Sequence, residues 1–299
     1  YLKIAEGCSK HCTYCIIPKL RGNYRSVPME ELLVEAEQLS KEGTKELIVI
    51  AQETTVYGVD LYGEKQLPKL LHELCKIDGI EWVRLLYCYP EEITEELVQT
   101  IKTEKKICHY LDLPIQHCND DILKRMGRKT TQADLREKIS MLRKEIPDIA
   151  LRTTLISGFP GETNENHEEC VDFVANMKFE RLGVFPYSPE EGTPAAGYDR
   201  QLPDKIKQEW ADEIMQTEQN VIFAQNEEMI GRRLSVIVDG YLPEDGVYVG
   251  RTYRDAPEID GCLFFEAPYE IISGTILPVL VTDANGYDLI GEILPEEDD

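Results

Sequence analysis

This sequence of 299 residues has no long apolar run, few basic residues and no disulfide framework, and each of these features argues against a class of protein. No apolar run approaches the roughly 20 residues that a membrane-spanning helix needs, so we expect no membrane partner. Basic side chains are few: 32 Lys and Arg stand against 56 Asp and Glu, for a formal charge of −24. Because such a surface repels a polyanion at long range, direct binding of tRNA is not expected, although a local basic groove stays an open alternative.

The third absence is a disulfide framework. Three of the nine cysteines, Cys8, Cys12 and Cys15, lie within eight residues, and the other six are Cys75, Cys88, Cys108, Cys118, Cys170 and Cys262. This scatter fits a reducing cytoplasm in which each isolated cysteine is a small core residue. The chain also begins at Tyr1 in a strand-like run, from which we expect that a further segment precedes it.

Apolar β-rich runs alternate with amphipathic runs along most of the chain. The predicted strands are 2–5, 46–51, 82–88, 110–113, 149–156 and 181–186, and the predicted helices are 29–41, 67–76, 91–103, 131–145 and 164–176. Such alternation favours βαβ units around a parallel sheet. Six units are too few for a closed eight-stranded barrel, so the predicted fold class is an α/β partial (β/α)6 barrel.

A long helical pattern over 202–231 ends this region, and short strands separated by Gly, Pro and Asp turns follow it. We predict a core domain at 1–230 and a small all-β barrel at 231–299. Residues 232–299 hold four basic and fifteen acidic side chains, a formal charge of −11.

The run from Gly7 to Cys15 has the form CxxxCxxC, in which soft thiolates from one loop surround one metal centre. A 4Fe–4S cluster with three thiolate ligands leaves one iron open for a substrate or cofactor. The alternative is zinc, with His11 as a fourth ligand, although structural zinc sites usually have a second ligand pair further along the chain.

With Tyr14 before its last cysteine, this motif resembles that of the radical S-adenosylmethionine (SAM) superfamily. The resemblance implies that the open iron chelates SAM, whose reductive cleavage yields a radical that abstracts a substrate hydrogen. It also implies a reductant such as flavodoxin. Cys8, Cys12 and Cys15 would then be the metal ligands.

The same resemblance assigns residues at other strand ends to SAM: Tyr14, Gln52, Glu53, Thr54, Arg152, Ser157, Gly158, Phe185 and Tyr187. For Tyr14, Phe185 and Tyr187, core packing is an equal alternative. The turn that contains Ser157 and Gly158 also reads as a helix start with Thr163 as N-cap. His117, after the fourth predicted strand, is a candidate catalytic residue, with helix capping or packing as the alternative.

Longer segments resemble the methylthiotransferase family within this superfamily. They are Cys15-Ile16-Ile17-Pro18-Lys19-Leu20-Arg21-Gly22, Met126-Gly127-Arg128, Tyr187-Ser188-Pro189-Glu190-Glu191-Gly192-Thr193-Pro194 and the terminal barrel, which resembles a TRAM domain. In that family an amino-terminal domain holds a second 4Fe–4S cluster. We expect that domain to lie outside these 299 residues.

One branch of the family modifies adenosine 37 of tRNA, and the other modifies the β-carbon of an aspartate in ribosomal protein S-twelve. The segments 111–117, 189–192 and 251–261 resemble the second branch. Asp255, Glu258 and Asp260 are predicted to form an acidic patch for a basic loop of that protein, with an ordinary solvated turn as the alternative. A cluster that is only structural, in a pure binding module, is the rival from another functional class.

Overall fold

The computed structural model describes residues 1–294. The chain forms two compact units, Tyr1–Thr217 and a second that begins at Glu218. The predicted domain boundary between residues 230 and 231 stays a prediction, and the last five residues of the predicted second domain lie outside the described part of the chain.

The first unit is built on parallel strands. Its strands are β1 (Leu2–Lys3), β2 (Ala5–Glu6), β3 (Arg25–Ser26), β4 (Glu46–Ile50), β5 (Trp82–Leu85), β6 (Ile107–Asp112), β7 (Ala150–Ser157) and β8 (Arg181–Pro186). Six of them form one parallel sheet in the order β1-β4-β5-β6-β7-β8, while β2 and β3 pair as a short antiparallel ribbon. The carboxyl ends of all six sheet strands therefore lie at one edge.

Helices connect these strands and cover the sheet. They are α1 (Ile17–Arg21), α2 (Met29–Lys41), α3 (Val59–Tyr62), α4 (Leu67–Cys75), α5 (Glu95–Thr103), α6 (Asp120–Arg125), α7 (Gln132–Glu145), α8 (Asn164–Met177) and α9 (Asp204–Glu227). Leu32, Leu70 and Phe173 from three of these helices are fully buried in one core with the strand residues. No helix within residues 1–294 is both long and apolar enough to cross a membrane.

The strand predicted at 2–5 is divided between β1 in the parallel sheet and β2 in the antiparallel ribbon, and the other predicted elements are confirmed with differences at their ends. β5 ends at Leu85 rather than at Cys88 because Tyr87 adopts a left-handed backbone, with φ of 58°. The helix predicted from Glu91 begins at Glu95, since the Thr94 side chain accepts a hydrogen bond from the Leu97 amide and caps it there.

The second unit is a small closed barrel. Its strands are β9 (Arg233–Leu242), β10 (Val247–Arg251), β11 (Leu263–Glu266), β12 (Ile276–Asn285) and β13 (Asp288–Ile293), joined in the order β10-β11-β13-β12-β9. Alternate side chains such as Val236, Phe265 and Val279 fill its interior. Both parts of the predicted fold class, a six-stranded α/β core and an all-β barrel, are confirmed.

The capping box of α8 allows a test of the fold. Thr163 accepts a hydrogen bond from the Asn166 amide, and the Asn166 side chain accepts one from the Thr163 amide. Thr163→Ala should lower the free energy of unfolding by about 1 kcal/mol in urea denaturation, because one helix amide loses its partner. Thr100→Ala, inside the exposed part of α5, is the control and should change it by less than about 0.5 kcal/mol.

Candidate metal centre

The cysteine loop lies at the carboxyl edge of the parallel sheet, directly after β2. Its backbone is held from three directions: the Gly7 amide donates to Gln52 Oε1 at 2.7 Å, the Cys8 amide to the Gly22 carbonyl at 3.1 Å, and the Thr13 amide to the Met126 carbonyl at 2.9 Å. The segments that follow different strands thus fix one irregular loop.

Gly7 is required at the start of this loop. Its φ is 80°, and an added Cβ would lie 2.3 Å from the Asn23 carbonyl oxygen. No larger residue fits this approach without moving the backbone, because the obstacle is itself backbone.

The three thiols are well placed to become ligands. Cys8 and Cys12 are buried and Cys15 is half-buried, and none is in a disulfide. Burial raises the pKa of Cys8 to about 11 and also raises the pKa of Cys15. A thiolate in this loop therefore needs a cationic centre to stabilise it.

A second group of potential ligands lies apart from the loop in sequence. Among residues 1–294, ligand atoms of His117, Cys118 and Cys170 lie within 4.8 Å of one another.

An ionic network borders the loop on one side. Lys10 Nζ lies 3.8 Å from carboxylate oxygens of Glu53 and Glu91 and is hydrogen-bonded to Glu92. Burial works to lower the pKa of Lys10, but the hydrogen bond that Lys10 donates to Glu92 and the nearby carboxylates outweigh it, so the pKa is raised. Burial of Glu53, which is 1% exposed, raises the pKa of that carboxyl to about 7.

Aromatic side chains border the loop on the other side. Phe159 lies at the centre, with ring centroids 6.4 Å from Tyr14, 5.2 Å from Tyr187 and 6.3 Å from Tyr198. The predicted cofactor residues Tyr14 and Tyr187 are therefore brought together, in a packed cluster next to the cysteines.

Comparison with known proteins agrees with this geometry. The family model of the radical SAM superfamily matches residues 2–174, and that of the TRAM domain matches residues 230–294.

The chain belongs to the radical SAM superfamily.

Curated relatives of the chain indicate one family within this superfamily. It is 62% identical over 291 residues to the ribosomal protein uS12 methylthiotransferase RimO of Lachnoclostridium phytofermentans, covering 97% of this chain and 66% of that protein. The corresponding protein of Clostridioides difficile is 49% identical over 296 residues, with 99% and 66% covered. The resemblance to methylthiotransferases is thus confirmed, and the chain spans 66% of the length of these relatives.

Solved structures share the fold at low identity. The radical SAM methyltransferase TsrM from Kitasatospora setae has a TM-score of 0.51 at 20% identity, covering 63% of this chain and 37% of that one. Methylornithine synthase (PylB) has a TM-score of 0.52 at 12% identity, covering 73% and 61%. The cofactors of this radical SAM chain are a 4Fe–4S cluster and SAM, and Cys8, Cys12 and Cys15 fit the role of cluster ligands.

Several of the side chains predicted to contact SAM make internal contacts in the structure. Gln52 Oε1 holds the Gly7 amide, and Thr54 Oγ1 donates to the Leu86 carbonyl at 2.9 Å. Arg152 Nη1 pairs with Asp112 Oδ1 at 2.9 Å. The predicted contact of Gln52, Thr54 and Arg152 with SAM stays a prediction, and each of these side chains also stabilises the fold through the contact given above.

Ser157 and Gly158 lie against α9. The Ser157 hydroxyl donates to the Lys207 carbonyl of α9 at 3.2 Å, and an added Cβ on Gly158 would lie 2.4 Å from Lys207 Cγ. Both residues allow the close approach of α9, and their predicted contact with SAM stays a prediction. Phe185 is 58% exposed, which excludes core packing and leaves its predicted contact with adenine as a prediction.

His117 is buried beside the end of β6. The side chain is 1% exposed, its Nδ1 accepts from the Asn119 amide at 3.0 Å, and its Nε2 lies 3.3 Å from Glu162 Oε1. These contacts fit the alternative of capping and packing, and the predicted catalytic role stays a prediction.

The predicted acidic patch of the second unit is only partly at the surface. Asp255 is 3% exposed and accepts hydrogen bonds from the Thr252 hydroxyl at 2.6 Å and amide at 3.3 Å. It is a structural residue of the turn, and its predicted contact with a substrate is wrong. Glu258 is exposed and Asp260 half-buried, with Asp260 Oδ2 accepting from the Ala256 amide at 2.9 Å, and their role stays a prediction.

Sequence reasoning missed two residues at the metal centre, Tyr89 and Arg128. The Tyr89 hydroxyl lies 3.6 Å from Cys12 Sγ, and the Arg128 guanidinium lies 4.2 Å above the Tyr89 ring. The motif Met126-Gly127-Arg128 was noticed in the sequence for its family resemblance, but nothing in that pattern indicated where its arginine lies.

The strained start of the loop gives a second prediction. Gly7→Ala should lower the iron content of the reconstituted chain by at least about twofold, because the backbone must move to admit a Cβ. Gly63→Ala is the matched control: its φ is 79°, but an added Cβ meets nothing within 4 Å. Equal iron content in the two variants would contradict the requirement.

The buried Glu53 carboxyl gives a third prediction. Between pH 4.5 and about 7 the folded chain keeps this proton and the unfolded chain loses it, so the free energy of unfolding falls as the pH rises. Glu53→Gln should remove this slope, with a difference from wild type on the order of 3 kcal/mol between the two ends of the window. Denaturant titrations at several pH values measure it, and Glu145→Gln, at an exposed carboxyl, should leave the slope in place.

Proposed function

We propose that this chain is the radical-generating part of a methylthiotransferase that modifies the β-carbon of an aspartate in ribosomal protein S-twelve. The observation that carries the proposal is its similarity, over 97–99% of its length, to proteins named ribosomal protein uS12 methylthiotransferase. The placement of the CxxxCxxC loop at the carboxyl edge of the sheet supports it, because this edge is where such folds carry out their chemistry.

The residues of the loop have separate tasks in this proposal. When bound, the cluster and SAM supply one-electron chemistry that generates a radical. The chain provides the three thiolates, and the backbone contacts of Gly7, Cys8 and Thr13 hold them in place. The burial of Cys8 and Cys12 and the packed aromatic side chains around Phe159 would limit the access of water to the site.

The charge of the second unit supports a protein substrate over the tRNA alternative. A TRAM barrel that binds tRNA needs free Lys and Arg side chains to contact phosphates. Residues 232–299 contain four arginines and fifteen acidic residues, and Arg251 is bound by both carboxylate oxygens of Asp239, at 2.7 and 2.9 Å. A basic ribosomal protein meets complementary charge on the same surface.

Electron supply and sulfur insertion belong to the same proposal. A reductant of the flavodoxin type would deliver the electron, in a reducing cytoplasm that keeps the nine cysteines free of disulfides. Sulfur insertion would use a second cluster bound outside these 299 residues, since the six scattered cysteines lack the spacing of a cluster site.

Anaerobic reconstitution tests the enzymatic part. The chain should bind about four iron atoms, as one cluster, and should cleave SAM when dithionite is added. It should not complete methylthiolation of a peptide from the S-twelve loop. About eight iron atoms per chain would contradict the assignment of the second cluster, and a reconstituted chain that leaves SAM intact would favour a structural cluster in a binding module.

Binding measurements test the choice of substrate. Fluorescence anisotropy should show binding of ribosomal protein S-twelve that weakens with added salt, and no comparable binding of a tRNA anticodon stem-loop. Tighter binding of the stem-loop would favour the tRNA alternative.

A further inference from the structure

The segment Met126-Gly127-Arg128 packs against the cysteine loop. The Met126 carbonyl accepts from the Thr13 amide at 2.9 Å, directly beside Cys12. Gly127 has a φ of 75°, and an added Cβ would lie 2.9 Å from the His11 carbonyl oxygen. The segment therefore approaches the loop closely enough to position it, although it lies more than 110 residues further along the chain.

Arg128 extends from this segment into a buried position. Its side chain is 1% exposed, and its Nη2 donates to the Pro114 carbonyl at 3.1 Å and lies 3.8 Å from Glu91 Oε2. Its Nε and Nη1 are buried and have no hydrogen-bond partner among the described residues. A guanidinium is always charged, so burying it with two unused donors is costly unless an anion is nearby.

Tyr89 connects Arg128 to the cysteine loop. Its backbone amide donates to Thr55 Oγ1 at 3.2 Å, and the guanidinium stacks over its ring. The hydroxyl lies 3.6 Å from Cys12 Sγ. Once Cys12 is a thiolate ligand, it can only accept, so the neutral hydroxyl is the donor.

Other charges near the loop largely compensate one another. Lys10 neutralises part of the Glu53, Glu91 and Glu92 carboxylates, and Lys65 Nζ binds Glu92 at 2.8 Å. Arg128 and Lys10 both lie over the Tyr89 ring, at 4.2 and 5.1 Å from its centroid. Lys10 is hydrogen-bonded to Glu92, whereas the carboxylate neighbour of Arg128 is no closer than 3.8 Å.

A cluster bound by three thiolates is a net anion, and reduction by one electron makes it more negative. Its potential is set by its net charge and by the hydrogen bonds to its sulfurs. We propose that Arg128 and Tyr89 are positioning residues that stabilise the reduced cluster at Cys12 and so raise its reduction potential. The inference rests on the proposed function only in requiring that the three cysteines hold the cluster.

Four variants of the full 299-residue chain test this inference. Arg128→Met removes the charge, Arg128→Lys keeps it, and Tyr89→Phe removes only the hydroxyl. Arg136→Met is the matched control, because Arg136 also stacks on an aromatic ring, at 4.8 Å from the centroid of Phe173, away from the cysteines. Iron content and the midpoint potential, from a redox titration followed by electron paramagnetic resonance, are measured for each without SAM.

Arg128→Met should lower the equilibrium constant for one-electron reduction at least about tenfold, equivalent to about 59 mV. Tyr89→Phe should lower it roughly threefold, as expected for one weak hydrogen bond. Arg128→Lys should lie closer to wild type than Arg128→Met, and Arg136→Met should be unchanged.

The inference is overturned if both Arg128→Met and Tyr89→Phe carry a full cluster at the wild-type potential. Should Arg128→Met fail to hold iron, Tyr89→Phe decides: a lowered potential at full iron content supports the inference, and an unchanged one overturns it. A wild-type chain that binds no cluster would instead contradict the proposed function.

Discussion

The backbone of the cysteine loop depends on segments that follow other strands. Nine residues outside any helix or strand must present three thiolates to one centre, and within the loop the Cys15 amide donates to the Cys12 carbonyl at 3.1 Å. The Gln52 side chain and the Gly22 and Met126 carbonyls supply partners for their amides. Gln52 follows β4, Gly22 follows α1 and Met126 follows α6, so segments from three parts of the chain meet at the metal centre, and Gly7 allows the close approach of the backbone after α1.

Burial then determines the electrostatics of the site. Low exposure raises the pKa of Cys8 and of Glu53, since each charged form loses its hydration. Lys10 and Arg128 introduce positive charge into the same region and are held by carboxylates, a backbone carbonyl and the Tyr89 ring. In a buried site the effective dielectric constant is low, so the electrostatic interactions of each of these charges are stronger than they would be at the surface.

The second unit shows how a shared fold is adapted by its surface. Its five strands close into a barrel around an apolar interior that needs only alternating side chains. Nothing in that interior specifies a partner, so the partner must be recognised by residues outside it, among which acidic residues outnumber basic ones in the sequence. Part of the acidic sequence is structural, however: Asp255 closes its own turn and Asp239 binds Arg251.

Periodicity and local spacing in the sequence predicted the parallel sheet, the longer helices, the barrel and the three cysteines, because they reflect short-range geometry. The short helices α1, α3 and α6 and the ribbon of β2 and β3 were not predicted. The sequence did not determine what faces the cysteines. Tyr89 lies 77 residues from Cys12, and only the pairing of parallel strands brings its hydroxyl to the sulfur. Ser157, Gly158 and His117 sit at the predicted strand ends, but their neighbours in α9 and α8 engage them in packing. A sequence motif identifies residues that are close along the chain. The direction of each side chain and its contacts depend on how distant elements pack, and they are therefore known only from the tertiary structure.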